Sequence, residues 1–376
     1  MEKLIFAQAN NREISFMDKI FGIAGKAAAM AEKEGKDKVT DATIGALLDD
    51  NGKFIVFESV MEGLHKLNPV DFSNYAPISG LPAYLDVVQK YAFGNHRPNM
   101  YTAAAATPGG SGAIRNTIVN YSKAWDTILT CDWYWSAYHT LATENYRKLD
   151  TYKLLTDDGK YNIASLKEKC DEYLAIQDSL LLIINTPAHN PTGFSLTDAD
   201  WAKVIELANG YGAKGKKITI FVDAAYIDYT DDPDASRKFL KLFEKQHDNV
   251  LTIMGYSASK GFTLYGMRAG AMICMTNKEE ICTEFANVAN FSCRGTWSNG
   301  RQGVRTRNRS LRCRLLCVDS LRRSGRSRRT APQGRNLPRT AGSGPARGAF
   351  RSIGSTVQAN CSGCQKSNGR ILRKVV

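Results

Sequence analysis

The chain lacks the long apolar segments that mark membrane proteins and secreted precursors. Its 376 residues contain no run of about 18 consecutive apolar side chains, so we expect no transmembrane helix. Residues 1–16 carry acidic side chains early and no sustained apolar stretch, so we expect no secretory signal. The nine cysteines are irregularly spaced, which favours a reduced, cytoplasmic setting over a disulfide framework.

Acidic and aromatic residues are scarce in residues 300–376, which we call the Arg-rich tail. This tail holds 19 Lys and Arg residues but one acid, Asp319, and its one aromatic residue is Phe350. Residues 1–299 hold the other 31 basic and 36 acidic residues, so the net charge is −5 there and +18 in the tail. This asymmetry indicates two different kinds of sequence, and we expect the tail to be disordered or poorly folded.

Nucleotide-binding and metal-binding signatures are also missing. The glycine-rich turn of residues 109–112 matches neither the Walker pattern nor the GxGxxG pattern. His139 and His189 have no cysteine or carboxylate at a metal-ligand spacing, so we expect no metal site. A weak alternative is a zinc site in the tail, at Cys313, Cys317, Cys361 and Cys364.

What the first 299 residues do contain is an alternation of short apolar runs and helical patterns. This alternation predicts an α/β fold with a mostly parallel central sheet covered by helices on both faces. The predicted strands are residues 127–131, 180–184, 218–222, 250–255 and 269–275, the last a return strand. The predicted helices are residues 16–33, 81–93, 109–123, 136–146, 163–176, 197–209, 236–246 and 279–289, with a loop at 291–299.

Polar motifs follow several of these strands. The turn GGSG at 109–112 opens a helix, and NTPAHNPTG, with Asn190, follows strand 180–184. Asp223 and Tyr226 follow strand 218–222, and Lys260 and Arg268 follow strand 250–255. Ligands of such sheets bind at the carboxyl ends of the strands, where helix N-termini also attract anions. We therefore expect one site that accepts an anion and contains a lysine amine.

Each of these features has a purely structural alternative. The glycines can form a plain tight turn, and Asp223 can cap a helix. Lys260 can form a salt bridge with Asp223, although this leaves the glycine and asparagine loops unexplained. The aromatic cluster of residues 133–135 can pack in the core or offer a flat face to a planar ring.

Together the motifs resemble the class I aminotransferases of the aspartate and aromatic amino acid type, which are fold-type I pyridoxal phosphate enzymes. The resemblance covers roughly residues 40–299 and rests most on SxSKxxxxxGxR, from Ser257 to Arg268, with NPTG and DxAY before it. It implies that Lys260 binds the cofactor as a Schiff base and shuttles the substrate proton. It also implies that Asp223 pairs with the pyridine nitrogen, while Tyr226 and Asn190 bind the phenolate oxygen.

The resemblance implies roles for further residues. Trp135 would stack on the ring, with Trp133 as the fallback, and Gly45 would belong to a mobile loop over the substrate. Arg294 would reach the distal carboxylate of a dicarboxylic substrate across a dimer interface. The phosphate would be held by Gly110, Ser111, Ser257 and Arg268, with Tyr75 contributed by the neighbouring subunit.

The predicted reaction is ping-pong transfer of an amino group between an amino acid (aspartate, glutamate or aromatic) and a 2-oxo acid, in a homodimer. Residues 1–40 would start a small domain and residues 41–299 would form the large cofactor-binding domain. The tail departs from the family, whose C-terminal third completes the small domain and supplies an arginine for the substrate α-carboxylate. We interpret this as a shift of reading frame near Gly300, which leaves the small domain incomplete and allows an inactive enzyme. The competing interpretation is a non-catalytic protein on the same fold with a basic arm that binds nucleic acid.

Overall fold

A computed structural model describes residues 11, 19–41, 43, 45–49 and 52–299 of the chain. The Arg-rich tail lies outside the described residues. Three expectations about the tail therefore also lie outside the described residues: its disorder, the zinc site at its cysteines and the basic arm that binds nucleic acid.

A seven-stranded sheet forms the centre of the fold, in the order β1-β7-β6-β5-β4-β2-β3. Strands β2 to β6 run parallel, whereas β7 is antiparallel to both of its neighbours, β6 and β1. The predicted α/β class and the predicted return strand are therefore confirmed. The strands are β1 (Tyr101–Pro108), β2 (Thr127–Cys131), β3 (Lys148–Tyr152), β4 (Ser179–Asn185), β5 (Lys217–Asp223), β6 (Val250–Ser257) and β7 (Ala269–Thr276).

Two of these strands, β1 and β3, were not expected from the sequence. Strand β1 reads YTAAAATP, and alanine has a low propensity for strands, so pairing with β7 decides its conformation. Strand β3 reads KLDTY and lies at the sheet edge, where its side chains are mostly half-buried. Neither stretch has the continuous apolar character by which the central strands were found.

Helices cover both faces of the sheet, and one prediction about them was wrong. Residues 291–299, predicted as a loop, continue the last helix, because it packs on β1 and β7 through the buried Phe285 and Ala289. The predicted helix at 236–246 is a 3₁₀ helix, Ala235–Lys245. A shorter 3₁₀ turn spans Tyr265–Met267. The α-helices are α1 (Lys19–Glu34), α2 (Glu58–His65), α3 (Pro69–Ser73), α4 (Pro82–Phe93), α5 (Gly109–Tyr121), α6 (Ala137–Glu144), α7 (Ile163–Leu174), α8 (Asp198–Ala213), α9 (Ala258–Gly261) and α10 (Glu279–Asn299).

Strand β4 shows why the sheet is buried on both sides. Leu180, Leu182 and Ile184 pack into the core on one face, and Leu181 and Ile183 pack into the core on the other. Successive side chains of a strand alternate between faces, so an unbroken apolar run requires cover on each. Each buried side chain of this kind contributes about 1.5–3 kcal/mol to folding.

The strand directions bring several loops to one edge of the sheet. Strands β4, β5 and β6 are parallel and end at this edge. Strand β1 also ends there and β7 begins there, because β7 is antiparallel to both β1 and β6. Four loops that carry the predicted polar motifs therefore converge at the carboxyl edge, because one loop joins β6 to β7.

No helix in the described part of the chain is long and apolar enough to span a membrane.

Candidate active site

Adjacent parallel strands place two buried polar residues side by side at the carboxyl edge. Asn185, the last residue of β4, pairs in register with Asp223, the last residue of β5. The Asn185 amide donates to the backbone oxygen of Asp223 at 2.8 Å, and its side-chain oxygen accepts from the backbone N–H of Asn190 at 2.7 Å. Asn185 was not among the predicted site residues, although its position as the first polar residue after an apolar run could have indicated it.

The carboxylate of Asp223 is buried and held by one strong hydrogen bond. The Tyr138 hydroxyl donates to Oδ2 at 2.5 Å, and the Ala225 N–H donates to Oδ1 at 3.2 Å. Burial raises the pKa of Asp223, and the bond from Tyr138 opposes this rise because it stabilises the charged form. The residues after Asp223 form turns and no α-helix, so the alternative that Asp223 caps a helix is wrong. Tyr138 was missed because a tyrosine in an amphipathic helix reads as core.

Lys260 lies in the short helix α9, directly after β6. Its amine donates to the backbone oxygen of Gly45 at 2.6 Å and lies over the rings of Tyr226, at 5.5 Å, and Tyr265, at 5.3 Å. Burial lowers the pKa of this amine, and the nearby Arg268 guanidinium lowers it further. Among the described residues the amine makes no ion pair with Asp223, so the salt-bridge alternative is wrong.

An anion cradle lies beside the lysine, at the N-terminus of α5. The N-cap residue Pro108 makes no side-chain cap hydrogen bond, and the first backbone N–H groups of an α-helix have no partner within the helix. A β-carbon at Gly109, whose φ is +72°, would lie 2.9 Å from Arg268 Nη2, and one at Gly110 would lie 3.4 Å from Ser257 Cβ. The guanidinium also reaches the hydroxyl of Ser111 at 3.4 Å. The turn is therefore more than a plain tight turn, because it brings a helix terminus and an arginine together.

The remaining predicted groups near the amine also converge. The Asn190 amide donates to the Tyr226 hydroxyl at 3.4 Å, and a β-carbon at Gly45 would lie 3.7 Å from that hydroxyl. Contacts of this kind connect the following predicted residues into one site: Gly45, Gly110, Ser111, Asn190, Asp223, Tyr226, Ser257, Lys260 and Arg268.

Four other predicted residues are placed less directly. Trp135 is half-buried with its ring 5.9 Å from Tyr138, edge to face, which brings it to the Asp223 side of the site. Trp133 is 59% exposed and Tyr75 is 99% exposed, so the described part of the chain does not enclose either ring. Arg294 belongs to α10, but its side chain lies outside the described residues.

The residues present fit a pyridine aldehyde that carries a phosphate. The buried Asp223 carboxylate and the Lys260 amine of lowered pKa face the same site, close enough to affect each other's pKa. The hydroxyl of Ser259, between Ser257 and Lys260, is buried without a hydrogen-bond partner among the described residues. These groups would be matched by a phosphate at the glycine turn, a protonated ring nitrogen at Asp223 and an aldehyde carbon at Lys260.

His139 and His189 belong to no metal-binding group among the residues that the structure describes. The described residues contain no group of three or more His, Cys, Asp or Glu side chains that could hold a metal ion. His189 lies 3.2 Å from the Cys131 thiol and 2.9 Å from the Thr192 hydroxyl. Burial lowers the pKa of His189 to about 4 and raises that of Cys131 to about 12, so both are neutral near pH 7 and the pair is not an activated nucleophile.

Comparison with known proteins gives a consistent result. The family model described as Aminotransferase class I and II matches residues 37–304. The mitochondrial aspartate aminotransferase of Arabidopsis thaliana is 26% identical over 272 residues, which cover 70% of this chain and 60% of that protein. The chain therefore spans about three fifths of the length of this curated relative.

Solved structures show the same similarity. An aminotransferase from Anaerococcus prevotii is 34% identical, with a TM-score of 0.79, over 86% of this chain and 77% of the other. An aromatic-amino-acid aminotransferase from Burkholderia pseudomallei, covalently bound to pyridoxal phosphate, is 19% identical with a TM-score of 0.64, over 96% of this chain and 80% of the other. At that identity the second comparison supports the fold alone.

Proposed function

The chain belongs to the class I and II aminotransferases, and on this premise we propose that it binds pyridoxal 5′-phosphate at Lys260 for amino transfer. The observation that carries the proposal is the position of the half-buried Lys260 amine, whose pKa is lowered, beside a helix N-terminus and an arginine. The amino group would pass between an amino acid and a 2-oxo acid. The non-catalytic alternative with a nucleic-acid-binding arm is not favoured by the comparisons.

The phosphate would be held by the start of α5 and by Arg268. A dianion gains from the backbone N–H groups of a helix terminus and from a guanidinium that donates in a fixed geometry. Ser111 and Ser257 supply hydroxyls on either side of the glycine turn. The close approach of Gly109 to Arg268 explains why the first position of this turn carries no side chain.

Lys260 and Asp223 would perform the proton chemistry. When bound, the cofactor supplies an electron-withdrawing ring that accepts the electrons released when the substrate Cα–H bond breaks. A lowered pKa keeps more of the Lys260 amine in the neutral form that takes this proton. Asp223 would hold a proton on the ring nitrogen, and Tyr226 and Asn190 would donate to the ring oxygen.

Substrate choice and assembly extend the same proposal. We propose an acidic or aromatic donor; the relative named for aspartate supports the acidic one, with Arg294 as the contact for a distal carboxylate. We propose a cytoplasmic homodimer in amino acid biosynthesis, in which the exposed Tyr75 reaches the phosphate in the partner subunit. Trp135 would stack on the ring and residues 1–40 would begin the small domain.

The Arg-rich tail bears on whether catalysis is complete. The family match ends at residue 304, a few residues beyond the proposed change of reading frame near Gly300. The family arginine that binds the substrate α-carboxylate would come from beyond this point. We therefore expect this chain to retain the cofactor and to fail at amino transfer. The nucleotide sequence across codon 300 tests the frame, since a small-domain sequence in another frame would support the shift and its absence would refute it.

The cofactor proposal is tested by locating the modified lysine. The full chain, incubated with pyridoxal phosphate and reduced with borohydride, should carry one pyridoxyl group on the peptide that contains Lys260. Lys260→Ala should lose this label, whereas Lys66→Ala, a change at an exposed lysine of α2's C-terminus, should keep it. A label on other lysines to the same extent in Lys260→Ala would overturn the proposal.

A half-reaction then separates cofactor binding from catalysis. The chain is loaded with pyridoxal phosphate and is not reduced. Aspartate, glutamate or tyrosine is then added, and the 2-oxo acid released is measured. Because of the Arg-rich tail, we expect a chain that holds the cofactor at Lys260 to release no 2-oxo acid. Stoichiometric release would instead show that the substrate carboxylate is held without the family's C-terminal third.

A further inference from the structure

Tyr265 connects three parts of the site that are distant in the sequence. Its hydroxyl accepts from the backbone N–H of Leu47 at 2.8 Å. Its ring lies 5.3 Å from the Lys260 amine and 6.2 Å from the ring of Phe54. Its backbone oxygen accepts from the Arg268 guanidinium at 3.2 Å. No sequence motif singled out this residue.

The segment that Tyr265 contacts lies directly over the lysine. We call residues 45–49 the cover loop. Its Gly45 oxygen accepts from the Lys260 amine at 2.6 Å, and its carbonyl at Leu47 accepts from the N–H of Ile55 at 3.0 Å. An antiparallel bridge between Leu48 and Phe54 continues this pairing. The loop is therefore paired with its own hairpin on one side and with Tyr265 and Lys260 on the other.

We propose that Tyr265 is a positioning residue that holds the cover loop over Lys260. Among the described residues, the cover loop is held by hydrogen bonds to the Lys260 amine and to the Tyr265 hydroxyl. The proposed function requires the Lys260 amine for chemistry, and the inference rests on the proposed function in this respect. The contact to Tyr265 involves a phenol with no chemical role. It can persist when the amine is engaged, so it keeps the loop in place.

Tyr229 and Arg268 fix the direction of the Tyr265 side chain. The Tyr229 hydroxyl donates to the Lys260 backbone oxygen at 2.8 Å, and burial together with the neighbouring Tyr265 phenol raises the pKa of Tyr229. The Arg268 contact holds the backbone of the same 3₁₀ turn. The loop anchor and the proposed phosphate arginine therefore share one rigid element.

Hydrogen exchange of the Leu47 amide in the cofactor-free full chain tests the anchor directly. In Tyr265→Phe the ring and its packing on Lys260 remain, while the acceptor of the Leu47 N–H is lost. The exchange rate of this amide, resolved by mass spectrometry with fragmentation, should rise about fivefold, the change expected for one hydrogen bond. Tyr101→Phe, at an exposed tyrosine of β1, should leave it unchanged. An unchanged rate in Tyr265→Phe, with a thermal transition like that of the parent, would overturn the proposal.

A second variant approaches the anchor from the loop. Leu47→Pro removes the donor but keeps the carbonyl that pairs with Ile55. The rate at which added pyridoxal phosphate attaches to Lys260 should rise severalfold in Leu47→Pro and in Tyr265→Phe, and no further in the double variant. Additive effects would show that Tyr265 acts through another contact and would refute the anchor. If no cofactor attaches to Lys260 in any variant, the proposed function fails, and hydrogen exchange still decides the anchor.

Discussion

Removing the Tyr138 hydroxyl tests whether the buried Asp223 carboxylate is charged in the cofactor-free protein. Tyr138→Phe keeps the ring, which is 1% exposed and packed beside Tyr134 and Trp135. It deletes a 2.5 Å hydrogen bond to Asp223. A hydrogen bond to a charged group contributes about 1.5–3 kcal/mol and one between neutral groups about 0.5–1.5 kcal/mol, so the size of the loss reports the charge.

The pH dependence gives the prediction its sign. Burial raises the pKa of Asp223 above the ordinary value of 3.8, so the folded chain binds this proton more readily than the unfolded chain. The contribution of Asp223 to stability is therefore present at acid pH and is lost as the pH rises through its folded pKa. Without Tyr138 the charged form loses its donor and the folded pKa rises further. Tyr138→Phe should cost about 1.5–3 kcal/mol near pH 7.5 and roughly half of this near pH 4.5.

Urea unfolding of the full chain at the two pH values measures the effect. The matched control is Tyr152→Phe, because Tyr152 is equally buried but its hydroxyl meets a neutral partner, Tyr161, at 3.1 Å. Its cost should be about 1 kcal/mol at both pH values. An equal cost for the two variants, or a Tyr138→Phe cost that does not change with pH, would refute the idea that Asp223 is a buried anion stabilised by this phenol.

Three further changes have clear expected outcomes. Arg237→Met should destabilise the fold by about 3–5 kcal/mol in urea unfolding, because it leaves Asp228, 2.6 Å from the buried guanidinium, without its partner. Gly270→Ala should reduce the yield of folded chain, since its β-carbon would lie 2.6 Å from backbone atoms of two other segments, whereas Gly52→Asn should not. His189 has a folded pKa of about 4 against 6.5 when unfolded, so its contribution, present above pH 6.5, is lost as the pH falls toward 4. In unfolding curves measured over a pH series, the parent should lose about 3 kcal/mol more stability than His189→Gln between pH 7 and pH 4. An equal loss in the two proteins would contradict the lowered pKa of His189.

The central strands and the cofactor motifs were predictable for one physical reason. Strands β4, β5 and β6 are buried on both faces, so their sequences are continuous apolar runs that end where the chain meets water. The first polar residue after each run marks the carboxyl edge. Asp223 was found in this way, whereas Lys260 was singled out as a lysine in a hydroxyl-rich turn between two apolar runs. The different hydrogen-bond partners of these two residues could not be seen without coordinates.

What the sequence did not indicate depends on contacts between distant segments. Tyr138 and Tyr265 lie 85 and 218 residues from the groups that their hydroxyls contact, Asp223 and Leu47. A tyrosine beside apolar residues reads as core in a single sequence, whatever its hydroxyl meets. The continuation of α10 through residues 291–299 was missed for a similar reason, since packing against β1 and β7 supports a stretch whose local pattern favours a loop.

We expect cofactor attachment and amino transfer to be separable in this chain, because they are proposed to depend on different stretches of it. The groups proposed to hold the cofactor come from strand ends at the carboxyl edge and from the cover loop, all before residue 299. Their positions follow from sheet register and from contacts among the described residues. The contact for a substrate α-carboxylate is proposed to come from beyond Gly300. Losing a bidentate arginine costs the substrate its orientation, which can contribute several kcal/mol to catalysis, but it leaves the lysine, the carboxylate and the anion cradle in place.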